Sequence, residues 1–410
     1  MKNIEYTYTT RLAFYIYLCA NLFCCFYFYY TGYLGGDLSG YNIKVNYYLL
    51  PISLFIVIFT FVFYQYVIYP IFNNVKFNGI KYVNSKSLDF LILIINIFGL
   101  YSSVFYGVGV LGIEQNNSIP VFLNQFTVIL QPINLVLIYF FYRASFSKKI
   151  VLLNLSIYAI YVVLSGQTVQ LLVLFFLWVF IKKKEGKISS SKILIFISIG
   201  LIVYPFIRML KMAVILSHLR GESLSFIYFD MLENGGFEQY FKFFFITLER
   251  FQIVANIQYI LDNNNYLYNS YSVLNHGVGE LLGNFWIFVF ISKVFSVTSV
   301  SFISPQTFLA SIINGSDLWA SHIGIIGYFV FYGVGAFFVL ILSVILVLSV
   351  SLLCSYLYTD KRVSLLGWLL TLQLLCHGWI FAYLYFLQTL IIFIFILKMI
   401  NLKYEFIRGI

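Results

Sequence analysis

Two basic residues close to the end of an apolar stretch are the first candidates for chemistry in this sequence. Arg208 and Lys211 lie three residues apart, just after Pro205. Residues at this spacing share one face of a helix, and Arg offers a planar fork of donors while Lys is a compact point charge. We predict that both, together with Arg220, bind a phosphate or diphosphate. The alternative is that Arg208 and Lys211 only extend their charges to a membrane interface.

Glu249 and Arg250 form a second pair, about forty residues further on. We predict that Glu249 acts as a general base or orients Arg250, and that Arg250 contacts the ligand. Adjacent helical residues point about 100° apart, so the two cannot face one ligand as a clean pair. An ordinary solvated ion pair is therefore the alternative.

Two histidines stand near carboxylates in the sequence: His276 is followed by Glu280, and His322 is preceded by Asp317. A histidine with such a neighbour can take a proton from a substrate hydroxyl near neutral pH. Both are predicted catalytic residues, and the alternative for each is a hydrogen-bonded interfacial side chain. His377 and His218 are weaker candidates.

Motifs for cofactors and metals are missing from the sequence. The five cysteines lie in apolar runs without CxxC or Cys/His metal spacing, so we expect no metal site. No phosphate-binding loop, zinc-protease, serine-hydrolase or dinucleotide-binding motif occurs either. We therefore expect no cofactor, and the chain is not an ATP-driven pump by its own sequence.

The composition indicates a membrane protein. Of 410 residues, 61% are hydrophobic and only 10% are charged, whereas a soluble domain has about 25% charged residues. The net charge of +10 does not indicate nucleic-acid binding, because the basic residues are concentrated in a few short loops.

Uncharged apolar runs of about 20 residues predict membrane-spanning helices. The clear runs lie at 12–34, 48–69, 90–113, 121–142, 193–215, 325–354, 363–379 and 380–397. A further run, 150–181, is too long for one span, is interrupted at 165–168 and has basic residues on both flanks. We predict two short helices there, which makes an all-α bundle of about ten transmembrane helices.

Charge supports this topology, because basic residues accumulate on the cytoplasmic side of membrane proteins. Ten spans place 18 of the 25 Lys and Arg residues inside, with both termini cytoplasmic. The chain then divides into seven spans (1–215), one large outer loop (216–324) and three spans (325–410). If loop segments 237–261 and 281–297 also crossed, the count would be twelve.

Within the outer loop, large apolar residues recur at helical spacing and predict an amphipathic helix on the membrane surface or against the bundle. They are Phe237, Phe241, Phe244, Leu248, Phe251 and Ala255. The later segment 281–297 is apolar but contains Lys293. We expect it to be re-entrant or interfacial.

This layout resembles the Wzy-type polymerases of O-antigen and capsule repeat units and, more distantly, the O-antigen ligases. The resemblance is most specific in the hairpin 164–172 (LSGQTVQLL), followed by an apolar run and lysines, and in 304–329, from SPQT to HIGIIGYF. Members of this group often carry a Ser-Arg pattern in that hairpin. Gln167 or Thr168 stands there in this chain, so we expect Gln167 at most to donate a hydrogen bond to the substrate.

The resemblance implies a GT-C-like fold and a glycosyltransferase of the bacterial inner membrane. Its substrates would be oligosaccharides on undecaprenyl diphosphate, and its partners a flippase and a chain-length co-polymerase. Arginines would take the place of a divalent ion at the diphosphate. Two alternatives stay open: an O-antigen ligase, and a lipid-linked oligosaccharide flippase, although the nearly uncharged spans and the long loop favour an enzyme over a flippase.

Overall fold

The computed structural model describes residues 4–43, 46–75, 86–110, 119–143, 148–274, 303–315, 320–357 and 361–408. Over these ranges the chain is helical apart from short connections, one of which contains an isolated antiparallel bridge between Tyr33 and Asn42. His276 and the predicted segment 281–297 lie outside the described residues.

The helices are numbered in chain order. They are α1 (Ile4–Thr31), α2 (Leu49–Asn74), α3 (Lys86–Tyr106), α4 (Val121–Leu130), α5 (Pro132–Arg143), α6 (Lys149–Leu164), α7 (Val169–Lys184), α8 (Ser190–Arg220), α9 (Leu224–Glu249), α10 (Val254–Asp262), α11 (Asn264–Ser272), α12 (Pro305–Asn314), α13 (Gly324–Tyr332), α14 (Ala336–Tyr356), α15 (Arg362–Leu375) and α16 (Ile380–Arg408). A short 3₁₀ turn, Gly36–Leu38, lies between α1 and α2.

Several helices are long and apolar enough to cross a membrane, which confirms the prediction of a helical membrane protein. Six segments of the described chain meet this condition: α1, α2, α3, α8, α13 with α14, and α16. The bent pair α4 and α5, which meet at 40°, would make a seventh span. The shorter α6 and α7 are separated by the turn 165–168, where the sequence predicts a break.

The centre of the bundle is formed by helices that are apolar on every side. Eleven of the twelve residues of α5 are buried, and so are residues 363–370 of α15. A helix without a polar face must be enclosed by other helices or by lipid. By contrast, α8 exposes Leu194, Ile195 and Ile202 along its length, which is typical of a lipid-facing position.

Contacts between connections define two ends of the bundle. At one end, Lys361 Nζ donates to the carbonyl of Asn73 (2.9 Å) and Arg362 Nη2 to that of Tyr142 (3.2 Å). We call this the lower end. The opposite, upper end carries turn 165–168, segment 320–323, turn 376–379 and the α1–α2 loop, which is described at 32–43 and 46–48.

The predicted amphipathic helix is wrong in its extent. α9 is kinked at Gly236 (φ 47°) and ends at Glu249, so Phe251 and Ala255 belong to other elements. Its Phe237 and Phe241 are exposed, whereas Phe243 and Thr247 are buried. Helical periodicity alone cannot locate such a break, because its cause lies in α1.

That cause is the buried side chain of Asn21 in α1. Asn21 Oδ1 accepts from the N–H of Ile253 (2.8 Å), and its Nδ2 donates to the carbonyl of Phe251 (3.3 Å). Buried backbone groups need partners, and Asn21 supplies them where the helix ends. The chain then re-enters the bundle as α10, six of whose nine residues are buried.

Candidate functional site

Three basic side chains meet at the upper end of the bundle, and we call them the cation cluster: Arg208, Lys211 and Arg250. Arg208 and Lys211 come from one face of α8, and Arg250 directly follows α9. Arg250 lies close enough to both for their charges to repel one another. Repulsion of this kind is unfavourable for folding alone, so the cluster suits a negatively charged ligand.

Contacts with neighbouring elements hold the two α8 cations in place. Arg208 is half-buried, and its Nη1 donates to the carbonyl of Ile246 in α9 (3.1 Å). Lys211 lies across turn 165–168, where a Cβ atom on Gly166 would be only 2.7 Å from Lys211 Cε. The α6–α7 turn, α8 and α9 therefore meet at the cluster.

Asp37 connects the cluster to the α1–α2 loop and to segment 320–323. Its Oδ1 lies 3.3 Å from Arg250 Nη1, and its Oδ2 accepts from Ser321 Oγ at 3.1 Å. The Asp37 side chain is 14% exposed, whereas that of Arg250 is 41% exposed. Among the residues that the structure describes, Arg250 therefore has one carboxylate within ion-pair distance, and its side chain is partly open to solvent.

Glu249 faces the backbone of the same loop. Its Oε2 accepts from the N–H of Gly36 (2.7 Å), and a Cβ atom on Gly35 would overlap its carboxyl group. Burial raises the pKa of Glu249 above its ordinary value, although the Gly36 N–H and the charges of Arg250 and Arg208 act in the opposite direction. This geometry gives Glu249 a role in holding the loop against the end of α9.

Helix α10 holds the same loop from its other side. The carboxylate of Asp262 accepts from Tyr41 Oη (2.8 Å) and from the Asn46 side chain, and Gln258 Nε2 donates to the Asn46 carbonyl (3.2 Å). Asp37 is thus carried on a loop that is fixed at both ends, which positions its carboxylate before any ligand arrives.

His322 lies beside the cluster and is fixed by turn 376–379. Trp379 Nε1 donates to His322 Nδ1 (2.7 Å). Gly378 of this turn is in close contact with Gly324, the first residue of α13. A Cβ atom on Gly378 (φ 86°) would lie only 2.8 Å from the carbonyl oxygen of Gly324. Burial, together with the charge of Arg250, lowers the pKa of His322 to about 3. The ring is therefore neutral at physiological pH.

The structure brings together five of the eight predicted site residues, places Arg220 away from them and gives the side chain of Gln167 a different partner. Arg220 is exposed at the last position of α8, nine residues and about 14 Å along the axis from Lys211. Gln167 lies in the turn that Lys211 crosses, but its Nε2 donates to the Gly109 carbonyl (3.3 Å). The eighth residue, His276, lies outside the described residues.

Four residues of this site were missed by sequence reasoning: Asn21, Asp37, Ser321 and Trp379. A weak signal existed for two of them. Asn21 is a polar residue inside an apolar run, and Asp37 follows a glycine pair in an otherwise uncharged stretch. Nothing in the sequence pairs Ser321 with Asp37 or Trp379 with His322, because these contacts join segments far apart in the chain.

The charges of the described site do not balance. Three cations, Arg208, Lys211 and Arg250, face two carboxylates, Asp37 and Glu249. An arginine fork and a lysine ammonium group are the usual partners of phosphate oxygens. Among the described residues, no group of three or more His, Cys, Asp or Glu side chains is placed to hold a metal ion. The arrangement can bind a phosphate or diphosphate and stabilise charge that develops on it.

The chain matches no model of a known protein family, no curated protein and no solved structure. The functional interpretation of the cation cluster therefore depends on its own residues, distances and charges.

Proposed function

We propose that this chain is a membrane glycosyltransferase that polymerises oligosaccharide repeat units carried on undecaprenyl diphosphate into an O-antigen or capsule polysaccharide. The observation that carries the proposal is the cation cluster, formed at one end of an apolar bundle by α8 and the end of α9, with His322 beside it. Such a site fits a diphosphate whose sugar lies in water and whose lipid lies in the membrane.

The proposed topology has ten crossings, with the upper end facing outward, in a GT-C-like arrangement. It counts α4 with α5 as one span and adds α6, α7 and α15 to the longer helices. α6 and α7 have 16 residues each and reach only about 24 Å, but the bilayer can thin around short helices. Basic residues predominate in the lower connections, which supports cytoplasmic termini in a bacterial inner membrane.

The proposed reaction is glycosyl transfer between two lipid-linked substrates. A hydroxyl oxygen of the acceptor repeat unit attacks the anomeric carbon of the donor glycan. The bond from that carbon to the diphosphate oxygen breaks, its electron pair leaves with the lipid diphosphate, and the hydroxyl proton passes to water. Arg208, Lys211 and Arg250 stabilise the charge that develops on the departing diphosphate, as a divalent ion does in other transferases.

An apolar groove supports a lipid-borne substrate. It has a volume of about 490 Å³ and lies between α2, α13 and α14, where its walls include Phe59, Phe63, Phe337 and Ile341. Its upper end is formed by Ile325, three residues after His322. An isoprenoid chain in this groove would leave its diphosphate near the upper end of the bundle, where the cation cluster lies.

A gene deletion in the host separates polymerisation from the related activities. We expect loss of the polymer ladder, with a single repeat unit still attached to its acceptor, and restoration of the ladder by the wild-type gene. Complete loss of attached repeats would instead indicate ligation or flipping. In that case the polymerase proposal is wrong.

A reaction with purified components tests the chemistry directly. The chain in lipid nanodiscs, supplied with a polyprenyl-diphosphate-linked repeat unit, is expected to form a ladder of products on a gel and to release the lipid diphosphate. Neither a nucleotide sugar nor a metal ion is needed. A variant with Lys242→Gln, which removes an exposed cation of α9 outside the cluster, serves as the matched control and should retain activity.

In a bacterial cell, the flippase that delivers the units and a chain-length co-polymerase are the expected partners.

A further inference from the structure

The hydrogen bond between Trp379 and His322 identifies which ring nitrogen of His322 carries hydrogen. Trp379 Nε1 lies 2.7 Å from His322 Nδ1, and an indole N–H can only donate. His322 Nδ1 must therefore accept. In a neutral imidazole the hydrogen then lies on Nε2, and the surroundings of His322 favour the neutral ring, because it is buried near the charge of Arg250.

The neighbouring His377 has the opposite arrangement. Its Nδ1 lies 3.2 Å from the carbonyl of Leu372, which can only accept, so the hydrogen lies on Nδ1. The His377 ring is enclosed by Tyr17 and Phe61, at ring-centre distances of 5.2 and 6.0 Å, and is 2% exposed. The rings of the two histidines lie 5.0 Å apart; His377 is buried, whereas the residue His322 is half-buried.

We propose that Trp379 is a positioning residue that fixes His322 in the Nε2–H form, and that His322 donates a hydrogen bond to a diphosphate oxygen instead of removing the acceptor's proton. This inference rests on the proposed function and changes the role predicted for His322 from proton acceptor to hydrogen-bond donor. A fixed donor beside Arg250 stabilises the developing charge without having to reorient during the reaction.

The form of His322 can be measured without any substrate. The chain contains four histidines, so nitrogen NMR of the protein labelled with ¹⁵N-histidine in nanodiscs gives few signals, and the signal missing in His322→Gln assigns His322. We expect the Nε2–H form at pH 7 and no protonation down to pH 5. An Nδ1–H ring, or a protonated ring at pH 7, would overturn the inference.

The role of Trp379 is tested by Trp379→Phe, which keeps an aromatic ring but removes the donor. We expect the preference of His322 for the Nε2–H form to disappear. Trp368→Phe is the matched control, because Trp368 Nε1 donates to Gln65 Oε1 (3.1 Å) and not to a histidine. If Trp379→Phe leaves the His322 signals unchanged while the fold is retained, Trp379 does not position His322.

The turnover rates of two His322 variants distinguish a hydrogen-bond donor from a general base at this position. A glutamine amide retains an N–H donor but cannot accept a proton as a base does. We expect His322→Ala to lower kcat by about 100-fold to 1,000-fold, the usual loss for an oxyanion donor, and His322→Gln to recover most of that loss. Equal losses in both variants would assign His322 as the base. If the wild-type chain forms no polymer at all, the proposed function fails, but the NMR result stands independently.

Discussion

Arginines meet carboxylates in two regions of this bundle, and the two regions are built in opposite ways. At the lower end, Arg143 Nε and Nη2 each lie 2.8 Å from an oxygen of Asp89, and Tyr139 also donates to that carboxylate (2.9 Å). The Arg143 and Asp89 side chains are 2% and 0% exposed. The lower pair is closed to solvent and balanced in charge.

At the upper end, the cation cluster has more positive charge than its carboxylates neutralise. The Arg250 side chain is 41% exposed, and its contact with Asp37 is longer, at 3.3 Å. A balanced, enclosed pair has no capacity for a ligand, whereas an unbalanced, open cluster has both charge and space for one. The same residue types thus serve structure at one end and, as we propose, ligand binding at the other.

The largest expected effect comes from breaking the lower pair. Asp89→Asn leaves Arg143 buried without its countercharge, and we expect a loss of about 3–5 kcal/mol in folding stability, measured as a lower thermal midpoint and a smaller folded yield in detergent. Glu185→Gln is the control, because Glu185 pairs with Lys182 and Lys187 on the surface and should not change the midpoint. An unchanged midpoint for Asp89→Asn would remove the distinction between the two regions.

The upper cluster should respond in activity and not in stability. We expect Arg250→Gln to lower the rate of polymer formation by about 100-fold or more without lowering the thermal midpoint, because the variant also relieves the repulsion with Arg208 and Lys211. Arg220→Gln, at the exposed end of the same helix that carries Arg208 and Lys211, should retain activity. If Arg220→Gln is as inactive as Arg250→Gln, the ligand reaches beyond the cluster that the structure defines.

A smaller effect is expected from the contact between Gly35 and Glu249. Gly35 has an extended backbone (φ −115°) that any residue adopts, so Gly35→Ala tests the overlap of its new Cβ with Glu249 and, less severely, with Phe28. Overpacking costs about 1–3 kcal/mol, and displacement of the loop should also lower activity, because Asp37 moves with it. Gly200→Ala is the control, since a Cβ atom there meets nothing within 4 Å. Equal behaviour of the two variants would mean that the loop gives way without cost.

The smallest effect concerns the charge of Glu249. Its raised pKa means that the folded state binds a proton more tightly than the unfolded state, so protonation of Glu249 stabilises the fold as pH falls through that pKa. We expect the wild type to gain stability relative to Glu249→Gln between pH 7 and pH 5. Comparing the two proteins cancels the opposite contribution of His322, whose lowered pKa costs stability as pH falls. A constant difference would mean that Glu249 keeps its ordinary pKa.

Glu249→Gln also separates holding the loop from catalysis. A glutamine side-chain oxygen can still accept from the Gly36 N–H, so activity should largely persist in Glu249→Gln and fall in Glu249→Ala. Loss of activity in both variants, with stability retained, would return Glu249 to the role of general base that the sequence predicts.

The sequence by itself determined that this chain is an α-helical membrane protein, because a chain with so little charge cannot cover a water-facing surface and its apolar runs match the bilayer thickness. It also determined the break at 165–168, since basic residues on both flanks require an even number of passes, and the shared face of Arg208 and Lys211, since their spacing matches the helical repeat. These features depend on local composition and period.

Only the tertiary structure decided the partners of these residues. The helix break after Glu249 depends on Asn21, more than two hundred residues away, and the charge of Arg250 is shared with Asp37 in a different loop. Trp379 determines which ring nitrogen of His322 carries hydrogen, and the two residues are brought together by the contact between Gly378 and Gly324. Such pairs are set by how distant segments pack, and because neither composition nor period records that packing, a single sequence cannot reveal them.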